Sequence, residues 1–190
     1  DYQIHKFEDD SIVYEAIESH FNEKLTYGFK PSSDLQLINV SIIDHAYNFD
    51  LMYNGELYSD FTFQLPGRYN LLNATGAVLA CMVNGLSISE IKNGLSTFSG
   101  VKRRFEVHID TPSCTFIDDY AHHPKEIEVL INAIIEFYPS RQITAIFQPH
   151  LYSRTRDFMT EFSQSLSRLD KLFLLPIYPA REKPISGISS

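Results

Sequence analysis

Hydrophobic and polar positions change their period twice along the chain. Residues 11–23, "SIVYEAIESHFNE", set Ile12, Ala16 and Ile17 on one helical face. From residue 24 to residue 65 the period shortens to two. "KLTYGF", "LQLINVSII" and the arms of "YNFDLMYNGELYSDFTFQL" read as strands, and Asn54-Gly55 between alternating arms is the dipeptide that a two-residue hairpin turn favours. A helix follows in "PGRYNLLNATGAVLACMVNG", apolar nearly all round, and stops at Gly85, a residue suited to the position just past a helix end. Ser87 and Glu90 form a capping box that opens a second helix, running to about Phe98.

The segment "FSGVKRR" (98–104) reads as a linker between domains, and the period changes again beyond it. "CTFID" reads as a short buried strand. Pro124 suits the first position of a helix whose apolar face carries Ile127, Leu130, Ile131, Ile134 and Tyr138. "ITAIF" (143–147) is a second buried strand, "RDFMTEFSQSLSRL" a helix on Phe158, Phe162 and Leu166, and "KLFLLPIY" a third strand. This β-α-β-α-β order predicts a parallel sheet with right-handed crossovers. The fold class is therefore α/β: a C-terminal Rossmann-like parallel sheet with flanking helices, preceded by a β-rich and helical piece. Domains are expected over residues 1–100 and 101–190.

That topology places the chemistry. In open parallel sheets, ligands bind beyond the carboxyl ends of the strands. The three strand ends carry "DDYAHHP", "QPHLYSRTRD" and "YPAREKP", so polar residues from three separate segments are expected on one rim.

Composition narrows the class. With 190 residues, 44% hydrophobic and 21% charged, the chain has the make-up of an ordinary globular protein. No apolar run approaches the roughly 18 residues of a membrane span, and the opening "DYQIHKFEDDSIVYE" is acidic and polar, unlike a leader. Cys81 and Cys114 read as buried free thiols of a reducing compartment. A net charge of −8 makes nucleic acid a poor partner. The acidity is concentrated in the first third. Residues 101–190 are charge-balanced and hold two arginine clusters, "VKRRF" and "SRTRD", which suit a compact anion such as phosphate or carboxylate.

Individual candidates follow from position. Asp118, Asp119, His122 and His123 are metal-ligand types, but adjacent residues at a strand end diverge and no HxH or HExxH spacing occurs, which argues against a metal there. His123, just before Pro124, suits helix capping. His122 and His150, on neighbouring strand ends, suit ligand contact or acid–base work. Arg154 and Arg156 are expected to open a helix, where cations oppose the dipole; an anion shared with the helix end would account for them. Arg103 and Arg104 sit at a domain junction, a natural place for a ligand clamp. Asn70 and Asn73 lie three apart on a helix, and amides can read a base edge; helix capping by Asn70 is the plainer reading. The chain has no GxxxxGK[ST] loop, no GxSxG elbow and no CxxC pair.

Taken in order, "LPGRYNLLNATGAVLA", "FSGVKRRFE", "DDYAHHPKEI", "FQPHLYSRTRDF" and "IYPAREKPISG" resemble the central-to-C-terminal part of the Mur ligases over about residues 60–190, with a looser fit from "YGF" at 27–29. Among them the fit is to members that join L-alanine to UDP-N-acetylmuramate. Muropeptide ligases, which recycle cell-wall peptide, share the "GVKRR" and "AHHP" types but lack the "FQPH…RTRD" type. The resemblance implies a bacterial, cytoplasmic, ATP- and Mg²⁺-dependent amide-bond ligase of peptidoglycan precursor synthesis, working through an acyl phosphate. It implies that residues 1–100 are the end of a central ATPase domain and 101–190 most of the C-terminal domain. The phosphate-loop lysine, the main Mg²⁺ ligands and the UDP domain would then lie elsewhere, and this piece would not catalyse ligation alone. A non-catalytic nucleotide-binding module and a metal-dependent hydrolase are the readings of other classes.

Position by position, the resemblance assigns Asn70 and Asn73 to the adenine pocket, Arg104 to the ATP phosphates and Asp119 to the ribose. Tyr120, His122, His150 and Arg154 fall in the pocket for the incoming alanine and the muramoyl end. The catalytic roles fall on Arg104 and His122. Tyr69 and Leu151 depart from the family pattern, which often has His and Arg there; the second change puts more weight on Arg154.

Overall fold

A computed structural model describes residues 3–6 and 24–190; the helix expected over 11–23 lies outside the described residues. The chain divides into two compact units, Asp1–Ser99 and Gly100–Ser190.

The first unit is built on a five-stranded sheet in chain order: β1 (Gln3–Lys6), β2 (Lys24–Gly28), β3 (Leu35–Ile43), β4 (Ala46–Tyr53) and β5 (Glu56–Phe63). β1, β2 and β3 run parallel, and β3, β4 and β5 form an antiparallel meander. Both meander turns have two residues with positive φ, Asp44-His45 at 50° and 58° and Asn54-Gly55 at 51° and 78°. That backbone matches the right-handed twist of the flanking strands. The Asn-Gly signal therefore marked the second turn, while the first uses residues that tolerate this conformation less readily. Alternation buries Leu35, Leu37, Phe49, Leu51, Phe61 and Phe63.

Helix α1 (Arg68–Val83) packs against β1, β2 and β3, burying Leu71, Val78 and Leu79. It ends as expected: Gly85 has φ 81°, its N–H reaches the Met82 carbonyl and the Leu86 N–H reaches that of Cys81. Helix α2 (Ile88–Thr97) starts with the Ser87–Glu90 capping box and packs on β5.

The second unit differs in pairing from the sequence expectation. β6 (Glu106–Asp110) and β7 (Thr115–Asp118) form an antiparallel hairpin; β8 (Thr144–Phe147) and β9 (Lys171–Leu174) pair in parallel. β6 was not expected. The short turn 111–114 explains the pairing, because it closes a small loop between neighbouring segments. The Arg141 guanidinium donates to the Thr111 and Pro112 carbonyls and to Thr115 Oγ1, which fixes that turn. Helix α3 (Pro124–Phe137) lies between β7 and β8. The single helix expected after β8 is broken at Phe158 into α4 (Tyr152–Asp157) and α5 (Met159–Leu166).

Ile127 and Ile131 of α3 meet Phe162 of α5 in the core of this unit, with Ile143, Phe147, Phe158 and Leu166 against them. The strands themselves are not fully buried, contrary to expectation. Phe116 is 52% exposed, Ile146 70% and Phe173 58%. Alternate residues point to opposite faces, and the α3–α5 core takes up Phe147 and Ile143. The cysteine reading also needs correction: Cys81 and Cys114 are free, but Cys81 is only half-buried and Cys114 is exposed in the hairpin turn.

The first unit's core makes a direct prediction. Phe61 is wholly buried and its ring stacks on that of its cross-strand neighbour Phe49 at 5.5 Å. Phe61→Ala is expected to destabilise by about 3–5 kcal/mol, read as a lower urea midpoint at unchanged slope. A shift below about 1 kcal/mol would show that this stack is not central to the core.

Candidate functional site

The site is built where the strands of the second unit end. β7 runs into Asp119-Tyr120-Ala121-His122-His123, and β8 into Gln148-Pro149-His150. The backbones of the second and third ends are joined: His150 bridges Tyr178 in parallel, the Tyr178 N–H donates to the Pro149 carbonyl at 2.8 Å, and the Leu151 N–H donates to the Tyr178 carbonyl at 2.9 Å. The Ser153 N–H donates to Glu182 at 2.9 Å, tying in the "AREKP" segment. The aromatic rings continue the joint. Tyr120 and His122 lie 5.1 Å apart, His122 and His150 6.5 Å, and His150 and Tyr178 5.5 Å. The three segments expected on one rim are together.

Asp119 anchors the first of them. Its Oδ2 accepts the Phe105 N–H at 2.8 Å and its Oδ1 accepts the Ala121 N–H at 2.7 Å. Burial pushes this carboxyl above its usual range, against the opposing pull of those two N–H groups and the Arg104 charge. Two of its roughly four acceptor sites remain for a ligand hydroxyl. Arg103 and Phe105 hold positive φ, 58° and 49°, on either side of Arg104. A wholly buried Phe in that conformation is strained, and the Asp119 bond to its N–H helps hold it. Arg104 itself is exposed, with no side-chain hydrogen bond among the described residues.

His122 is held at one nitrogen. Its Nδ1 lies 2.9 Å from the Tyr120 carbonyl and 3.4 Å from Glu126 Oε2. A carbonyl only accepts, so Nδ1 carries the hydrogen and a neutral ring presents its lone pair at Nε2. Glu126 accepts from the His122 N–H at 2.9 Å and the His123 N–H at 3.2 Å. Burial raises the Glu126 carboxyl, but these N–H groups, the adjoining His122 ring and the Arg104 charge outweigh it and hold it below the ordinary value. His123 caps α3: its Nδ1 accepts the Lys125 N–H at 3.4 Å, and its ring packs on Phe158 at 4.7 Å. Tyr120 is exposed beneath the Arg103 guanidinium, 4.6 Å from its centroid.

The helix argument for the second arginine cluster holds only in part. α4 is six residues long, so Arg154, its third residue, belongs to both its first and its last turn, while Arg156 stands in the last turn, where a cation is favourable. Arg156 pairs with Asp157 at 2.7 Å. Arg154 differs, since its Nη1 is buried and has no hydrogen-bond partner among the described residues. Leu151, at the departure from the family pattern, has φ 75°, an outlying value for a side chain of its size, between His150 and α4.

In the first unit, the two asparagines part company. Asn70 is buried and its amide donates to the Pro66 carbonyl at 2.7 Å, while Asn73 is exposed. Asn70 is not the cap of α1, which is Gly67. Among the described residues, Asp119, His122 and His123 belong to no group arranged to hold a metal; the one such group is Glu106, His108 and Asp118. Sequence reading passed over Glu106 and His108. The alternation of "EVHID", with Val107 and Ile109 between polar positions, was the available signal.

Residues 103–189 match the family described as Mur ligase, glutamate ligase domain. The UDP-N-acetylmuramate–L-alanine ligase of Cytophaga hutchinsonii is 44% identical over 174 residues, 92% of this chain and 37% of that protein. The enzyme of the same name from Christiangramia forsetii is 48% identical over 163 residues, 86% of this chain and 36% of that protein. The chain thus spans little more than a third of these relatives. Among solved structures, UDP-N-acetylmuramate-alanine ligase MurC from Thermotoga maritima superposes with a TM-score of 0.65 at 26% identity, over 80% of this chain and 39% of that one. Folylpolyglutamate synthetase from Lactobacillus casei, at 20% identity and a TM-score of 0.69 over 97% of this chain and 44% of that one, shares the fold. With its five ordered motifs and these matches, the chain belongs to the Mur ligase family.

Proposed function

We propose that this chain is part of a cytoplasmic, ATP-dependent ligase that joins L-alanine to UDP-N-acetylmuramate in peptidoglycan precursor synthesis. Relatives bearing that name cover most of the chain at 44% and 48% identity. Among the described residues no helix is long and apolar enough to cross a membrane. Residues 1–100 would be the end of the central ATP-binding domain and residues 101–190 most of the C-terminal domain.

The observation that carries the reading is the buried, unpartnered Nη1 of Arg154, four residues beyond His150 on the rim. Leaving a charged donor unsatisfied is costly, and a carboxylate matches a guanidinium in charge and shape. The L-alanine carboxylate is the proposed partner, with Tyr120, His122 and His150 around the reacting end. The proposed reaction phosphorylates the muramoyl carboxylate, the alanine amine attacks the acyl phosphate, and phosphate leaves as the amide forms. His122 Nε2 would take a proton from the alanine ammonium, a role supported by the commitment of its Nδ1 to the Tyr120 carbonyl.

Arg104, exposed and uncommitted, suits the ATP phosphates; Asp119 retains acceptor capacity for a ribose hydroxyl. Asn73 suits the adenine edge, and Asn70, whose amide gives one hydrogen to the Pro66 carbonyl, keeps its carbonyl oxygen and its second amide hydrogen. Mg²⁺ would accompany ATP and neutralise its phosphates, held mainly by residues outside this chain.

Two outcomes are expected in the intact enzyme. Arg154→Ala removes a charge-assisted bond of about 1.5–3 kcal/mol and should lower kcat/KM for L-alanine by about 10–100-fold, with nucleotide affinity nearly unchanged. Kinetics showing full alanine efficiency would remove Arg154 from this role. Asp119→Ala should lose nucleotide affinity and also about 1–3 kcal/mol of stability, because the Phe105 and Ala121 N–H groups lose their acceptor. Its raised carboxyl also means that wild-type Asp119 weakens the fold as pH rises through the span between its unfolded and folded values. Unaltered nucleotide binding by folded Asp119→Ala would exclude the ribose contact.

A further inference from the structure

We propose that Glu106, His108 and Asp118 form a divalent transition-metal site on the β6–β7 hairpin. Glu106 and Asp118 are direct cross-strand partners. Two carboxylates in that relation repel one another. The register shifts between Val107 and Ile109, so His108 is the extra residue of a bulge. A bulge re-aims the side chain it carries. His108 Nε2 lies 3.9 Å from Glu106 Oε2, and one ligand atom from each of the three residues falls within 4.8 Å of the others.

The spacing suits a small cation. Ligands at the usual 2.0–2.2 Å from a tetrahedral zinc stand about 3.3 Å apart, so the three side chains need to close by only about an ångström. The present compensation for the two carboxylates is slight. The Arg103 N–H donates to Glu106 Oε2 at 2.8 Å, and Arg103 Nε is 3.9 Å from Asp118 Oδ2 on a largely exposed side chain. That guanidinium is largely exposed, and moving it away gives up its contact with the Tyr120 ring. One imidazole with two carboxylates suits Zn²⁺, Mn²⁺, Fe²⁺ or Co²⁺ better than Mg²⁺, which prefers oxygen ligands and its own waters. Three protein ligands leave one position open to water or another group.

This site stands apart from the ligase reading, and its test uses no activity. Nucleotide-free intact protein is titrated with Co²⁺, followed by visible absorption, and the bound cobalt is then displaced by Zn²⁺. One saturable equivalent is expected. His108→Ala and Asp118→Asn should each weaken it at least tenfold, while His150→Ala, which removes a rim histidine, leaves it unchanged. Thermal melts establish that each variant is folded, and His108→Gln serves if His108→Ala is not. Absence of saturable binding, or binding that survives loss of His108 or is lost with His150, would overturn the proposal.

Discussion

One half-buried carboxylate holds the rim of the second unit together. Asp119 accepts from Phe105 on the segment entering β6 and from Ala121 on the loop leaving β7. Without that pair of bonds, nothing local would keep Phe105 at positive φ with its ring buried, since neither a bulky side chain nor the preceding arginine favours it. Desolvation makes the charge expensive, and the raised titration of the carboxyl records that expense. The Tyr120 N–H, bonded to the Arg103 carbonyl at 2.8 Å, closes the same joint from the backbone side. Arg104 is thus displayed from a segment pinned on both sides, which spares it the ordering entropy that a free linker arginine would pay on meeting an anion.

What the sequence disclosed was mostly local. The Asn54-Gly55 turn, the Ser87–Glu90 box and the His123-Pro124 start of α3 are each decided within a few residues, and each is where the pattern put it. The convergence of three strand ends was also legible, because alternation of strands and helices carries a topological rule. Pairing was not. β6 is a five-residue run whose partner depends on the turn at 111–114, and no periodicity reveals that Arg141, about 30 residues on, fastens that turn. Burial failed for a similar reason: an apolar run tells that a strand has apolar faces, but not whether a helix covers both. The break at Phe158 was invisible because Phe158, Phe162 and Leu166 keep helical spacing across it, and the break puts Arg156 in a last turn.

The arginines show how far a site can be read from partnership rather than position. Arg141 spends its guanidinium on the hairpin turn, Arg156 on Asp157 and Arg168 on Asn132, while Arg103 lies over Tyr120 near Asp118. These are structural cations, each with a nearby acceptor or ring. Arg154 and Arg104 differ: among the described residues, Nη1 of the first is buried without a hydrogen-bond partner, and the second has an exposed head. The same sorting explains why the histidines divide. His123 is consumed by its helix and by Phe158, whereas His122 is fixed at one nitrogen and open at the other, the arrangement that proton transfer to or from a bound ligand requires.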